Sequence, residues 1–72
     1  MGKRKPYNEY NIVWRNTDKE IINDDVDHYS TDEAIDIIYQ EKDFKEILFM
    51  GKRPLTKAQM RERKAVTGID IT

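Results

Sequence analysis

The chain has no cysteine, and in 72 residues only three glycines, two prolines, one tryptophan and one histidine. Without cysteine there is no disulfide framework, no thiol nucleophile and no cysteine zinc site, so a fold this small rests on packing or on a partner. No run approaches the roughly 18 consecutive apolar residues that mark a membrane-spanning helix. The opening Lys3-Arg4-Lys5 leads into Pro6, Asn8 and Glu9 rather than the apolar stretch of a secretory signal. Pro6 stands where a myristoylation signal needs serine or threonine, and the C-terminus carries no prenylation box. These absences predict a soluble, cytoplasmic chain with no membrane partner. An excess of one charge sign is missing too. Thirteen basic and 14 acidic side chains leave a formal net charge of −1, so total charge favours neither nucleic acid nor membrane.

Apolar residues make up 38% of the chain, enough for one small core and too few for two. The expected organisation is a flexible basic tail over residues 1–6 and a single small domain over 7–72. Tyr10, Ile12 and Trp14 alternate with Asn11, Val13 and Arg15, a period of two that sends the bulky groups to one side of a strand. Asn16, Thr17 and Asp18 bond local backbone and favour a turn, and residues 20–23, with Ile21 and Ile22, return as the second strand of a hairpin. The acidic stretch 23–28 reads as a connecting loop.

A helix begins after Ser30 or Thr31, where Ser30 and Glu33 have capping-box spacing and Asp32 and Glu33 complement the positive end of the helix dipole. At about 100° per residue, Ala34, Ile35, Ile38 and Tyr39 gather on one side, with Asp32, Glu33, Asp36, Gln40 and Asp43 opposite. The run Ile47-Leu48-Phe49-Met50 within residues 44–50 predicts a strand covered on both faces, the candidate centre of the sheet. Gly51 and Pro54 break that pattern. Thr56 opens a second helix that runs to about Val66 and ends at Gly68. On it Lys57, Arg61 and Lys64 share one side, and Leu55, Ala58, Ala65 and Val66, with Glu62 among them, form a thin apolar side for docking. Residues 69–72 alternate like an edge strand or a frayed end. Strand, strand, helix, strand, helix predicts a small single α+β domain, its helices packed on a three-stranded sheet, with marginal stability.

Charge is sorted along this order. Residues 1–15 carry four positive and one negative group, residues 16–46 three and eleven, and residues 47–72 six and two. The segment charges are therefore +3, −8 and +4. The plainest account is a solvated, soluble surface. The sharper reading of the basic ends is a phosphate-contacting surface made of Lys3, Arg4 and Lys5 in the tail, with Lys52, Arg53, Lys57, Arg61 and Lys64 downstream. Tyr7 and Tyr10 beside the tail are candidates for stacking on bases. The sharper reading of the middle is a protein-binding face of Asp24, Asp25, Asp27, Asp32, Glu33, Asp36 and Asp43, suited to a basic site on a nucleic-acid-binding protein.

Catalysis finds little support. His28 beside Asp27 is an acid-base pair without a nucleophile, and neither a Walker loop nor a serine elbow occurs. Asn23, Asp25 and Asp27 have the spacing of early calcium-loop ligands, but His28 takes the place of the required glycine. No cofactor, metal or small-molecule substrate is expected. The function that follows is a non-catalytic binding module for nucleic acid or a nucleoprotein complex, acting through the basic tail and the second helix. The alternative is a small inhibitor or adaptor that occupies a partner's basic site with its acidic loop and helix, in composition resembling the accessory proteins of mobile genetic elements.

Overall fold

The alternating segment around Trp14 becomes the middle of the molecule. In the computed structural model, which describes residues 7–68, the elements are β1 (Asn8–Asn16), β2 (Ile21–His28), α1 (Thr31–Tyr39), β3 (Phe44–Lys52) and α2 (Lys57–Thr67). The strands form one antiparallel sheet in the order β2-β1-β3. This is an α+β domain with two helices on a three-stranded sheet, as the element order predicts. The basic tail and the final alternating residues 69–72 lie outside the described residues.

Successive side chains of a strand point to opposite faces, and here each face has its own helix. On one side Tyr10, Ile12 and Trp14 are buried with Ala34 and Ile38 of α1, and Ile22, Val26, Phe44, Ile47 and Met50 pack around them. On the other, Val13 and Phe49 are buried with Leu55, and Met60 of α2 packs on this cluster. Both faces of β1 are therefore covered. The β1–β2 turn is held by buried Asn16, whose Oδ1 accepts from the backbone N–H groups of Asp18 (2.9 Å) and Glu20 (2.8 Å). Lys19 takes the left-handed conformation that this tight turn requires, with φ 67°.

Three expectations are corrected. The segment 23–28 is not a loop but the continuation of β2, paired with β1 from Arg15↔Ile21 to Asn8↔His28. Its half-buried residues Ile22, Asp24, Val26 and His28 alternate with exposed Ile21, Asn23, Asp25 and Asp27. Backbone pairing outweighs the poor strand propensity of aspartate, and charge on an edge strand discourages pairing with other chains. The sheet's centre is β1, and β3 is an edge. The apolar run in β3 reflects irregular register: Val13 pairs with Phe49 but Trp14 with Ile47. The extra residue of that bulge lets Ile47 and Met50 both face α1 while Phe49 faces α2.

The third correction concerns how α2 docks. Ala58, Ala65 and Val66 are exposed, and the helix packs through Met60 and buried Arg63, with Leu55 just before it. Arg63 Nη1 donates to Oδ1 of Asn11, itself fully buried on β1. Asn11 Nδ2 in turn reaches Oδ1 of Asn23 (2.6 Å), the carbonyl of Asp24 (3.3 Å) and Oδ1 of Asp25 (3.1 Å). A buried guanidinium thus ties the helix to the central strand and, through Asn11, to β2. The ends of α2 are well specified. Thr56 and Gln59 form a complete capping box, and Gly68 caps the C-terminus at φ 77°. The α1 cap is half a box: Ser30 Oγ accepts from Glu33 N–H (3.3 Å) and donates to the Glu33 carboxylate (3.1 Å).

Candidate nucleic-acid interface

Because α2 docks through Met60 and Arg63, its spacing of 3.6 residues per turn places Arg61 toward the outer side and Lys57 and Lys64 along the flank next to Met60. All three are exposed. Lys57 and Arg61 form no ion pair with a described carboxylate; the ion pairs of arginines among the described residues are Arg15–Glu46 and Arg53–Asp25. Arg61 lies between Lys57 and Lys64, while Glu62 and Val66 occupy the far flank of the helix. The stripe is a set of exposed basic side chains at i, i+4 and i+7 on a helix that is capped at both ends and docked through a buried arginine.

The other basic candidates separate from it. Lys52 pairs in register with Tyr10, a member of the α1-side cluster, so its exposed side chain leaves the sheet on the face away from α2. Arg53 is half-buried and donates from Nε to Oδ1 of Asp25 at 3.1 Å, so a carboxylate of this chain already holds it. Lys3, Arg4 and Lys5 lie outside the described residues. Of the five basic candidates among the described residues, the structure brings together three.

The acidic candidates divide between the faces as well. Asp32, Glu33 and Asp36 are exposed together on the outer surface of α1. Asp24 also points to the α1 side, where its Oδ2 accepts from the Trp14 indole N–H at 2.9 Å. Asp25 and Asp27 project from the opposite face of β2, Asp25 bound to Arg53 and Asn11. Asp43 is half-buried between α1 and β3, its carbonyl accepting from Thr17 N–H at 2.8 Å.

The aromatic candidates exchange roles. Tyr10 is buried, its hydroxyl accepting from Asn8 Nδ2 at 3.2 Å, and offers no ring to a base. Tyr7 is exposed and stacks on Tyr29 with ring centroids 4.5 Å apart and planes 17° from parallel, extending the Asn8↔His28 register by one pair. Tyr29 was missed because it follows a segment read as loop. A side-chain hydrogen bond with Tyr7 raises the Tyr29 phenol above its ordinary pKa, with partial desolvation, Tyr7 and the Glu33 carboxylate adding to the effect. Asp27 and His28 are neighbours on one strand and so face opposite sides of the sheet, which prevents their acting as a pair. His28 Nδ1 instead accepts from Tyr29 N–H (3.1 Å) and lies 3.4 Å from the Glu33 carboxylate.

Among the described residues no group of three or more histidine, cysteine or acidic side chains is arranged to hold a metal ion, and no helix is long and apolar enough to cross a membrane. Arg63 is the residue whose part sequence reasoning missed. Its signal was helical phase, since Arg63 falls in line with Met60 and Thr67, whose hydroxyl donates back to the Arg63 carbonyl (2.6 Å). Comparison with known proteins gave no matching family model, no matching curated protein and no matching solved structure.

Proposed function

We propose that this chain is a non-catalytic module that binds the phosphate backbone of nucleic acid through the outer side of α2. One observation carries the reading: Lys57, Arg61 and Lys64 form an exposed basic stripe, and the exposed carboxylates of α1 lie beyond the sheet from it. A duplex laid along α2 meets cations without meeting the acidic helix. Contacts of this kind supply affinity and orientation rather than sequence choice. Lys3, Arg4 and Lys5 add further phosphate contacts in the full chain.

The test is binding to a fluorescent duplex as a function of salt. Three neutralised phosphates give a slope of log K against log salt of about −2.7, and a contribution from the tail steepens it. Lys57→Glu with Arg61→Glu and Lys64→Glu should abolish binding. Equal and negligible binding by both proteins at low salt would dismiss the proposal. The exposure of Asp32, Glu33 and Asp36 as one acidic surface favours a second reading, capture of a basic site on a protein partner. An arginine-rich peptide that binds the native chain but not the Asp32→Lys, Asp36→Lys variant would support it.

A further inference from the structure

We infer that the outer faces of α1 and α2 are complementary to each other, so that α1 of one copy docks on α2 of a second copy of this chain. The two helices lie on opposite faces of one sheet and carry opposite charge. In α1 the charged residues are Asp32, Glu33 and Asp36, all exposed; in α2 the exposed cations are Lys57, Arg61 and Lys64, against a single exposed carboxylate, Glu62. Spacing matches as well as sign. Asp32 and Asp36 are four residues apart, as are Lys57 and Arg61, so each pair spans about 6 Å along its axis. The helices, at nine and eleven residues, are about 14 and about 17 Å long.

Apolar groups flank both charged rows. Ile37 and Tyr39 are 40% and 56% exposed on α1, and Ala58 and Ala65 are exposed beside Arg61 on α2. A formal net charge of −1 means that two copies scarcely repel as wholes while their unlike faces attract. The symmetry of the contact follows from the fold. With α1 and α2 on opposite sides of the sheet, two copies joined α1-to-α2 leave one acidic and one basic face open. The contact is therefore heterologous and propagates into a ring or a chain rather than closing as a twofold dimer. Nucleic acid on α2 would compete with it, but the docking itself needs no nucleic acid.

Because the chain has no cysteine, Ala65→Cys gives a single attachment point for a nitroxide label on the outer side of α2. The labelled full-length protein is mixed with unlabelled, nitrogen-15-enriched protein at about 1 mM total in low salt, where weak, small interfaces are populated. The expected result is relaxation broadening centred on amides of α1 in the unlabelled copy. It should be lost at about 0.5 M salt, where the Debye length falls to a few ångströms. Asp32→Lys with Asp36→Lys in the unlabelled copy should also remove it. Adding Lys57→Glu and Arg61→Glu to the labelled copy should then restore it at α1. Far-ultraviolet circular dichroism checks that each variant is folded, and the single changes Asp36→Lys and Arg61→Glu repeat the exchange if a double variant is not. No broadening at low salt, broadening centred away from α1, or broadening that survives the charge reversals would each overturn the inference. Since no nucleic acid is present, failure here leaves the phosphate-binding proposal standing, and failure of duplex binding leaves this result standing.

Discussion

The two faces of the sheet are built by different means. On the α1 side, Tyr10, Ile12, Trp14, Ala34 and Ile38 form a conventional apolar core, and the helix docks by removing hydrocarbon from water. On the α2 side the buried apolar set among the described residues is Val13, Phe49 and Leu55, and the helix is held in addition by the Arg63–Asn11 contact and is capped at both ends. The lesson is about what each helix leaves outside. A helix docked by an aliphatic stripe keeps its acids in water by simple amphipathicity. A helix docked through an arginine spends one cation inside and presents Lys57, Arg61 and Lys64 outside, at the cost of a more fragile attachment.

Ile38→Ala should cause the largest loss, about 3–4 kcal/mol, because Ile38 is 1% exposed and its removal leaves a cavity against Tyr10, Ile12 and Trp14. Urea unfolding followed by Trp14 fluorescence reads it, and a smaller loss than that of any α2-side change would invert the comparison. Arg63→Ala comes next, at about 2–3 kcal/mol, from a lost charge-assisted hydrogen bond and the lost packing of the arginine stem. Hydrogen exchange should show α2 amides exposed first while those of α1 stay protected. If both helices lose protection together, α2 is not separately fragile.

Gly51→Ala sharpens the same point at about 1–2 kcal/mol. A Cβ there would sit 2.7 Å from Leu55 Cδ2 and 3.0 Å from the Phe49 ring, overpacking the α2 side alone. The smallest effect belongs to the exposed stack. Tyr7→Phe removes the hydroxyl that contributes most to the raised Tyr29 pKa, so Tyr29 should ionise at lower pH in an ultraviolet titration. The sign follows from linkage. A raised native pKa favours the neutral phenol, so its contribution is complete below the ordinary tyrosine value and fades as pH rises through the native one. An unchanged Tyr29 titration would remove Tyr7 as the cause.

The same contrast explains what the sequence made legible. On the α1 side the rules of period and capping apply without interference, so the alternation at Tyr10, Ile12 and Trp14, the Ser30 start and the inward Ala34 and Ile38 could be read directly. Tyr39, expected inside, is 56% exposed and meets the Phe44 ring edge-to-face, at a centroid distance of 5.1 Å. Reading fails where pairing or a buried polar group outweighs local preference. Asp24, Asp25 and Asp27 form a strand because β1 offers a complete ladder and because Trp14, Asn11 and Arg53 engage two of the three carboxylates. The edge position of β3 was hidden because bulges let an unbroken apolar run serve two faces. At the candidate site, the stripe on α2 was visible from spacing alone. The removal of Arg53 by Asp25 and of Lys52 by strand parity needed the register, which no local pattern carries.

The central claim is that α2, and not α1, is the face that meets phosphate. Its most direct test is a nitrogen-15 amide titration of the full chain with a short duplex at low salt, compared residue by residue across the two helices. The account predicts shifts concentrated between Lys57 and Lys64, reversed by added salt, with α1 amides from Asp32 to Asp36 unmoved. Shifts centred on α1 or β2, or none at all, would contradict it.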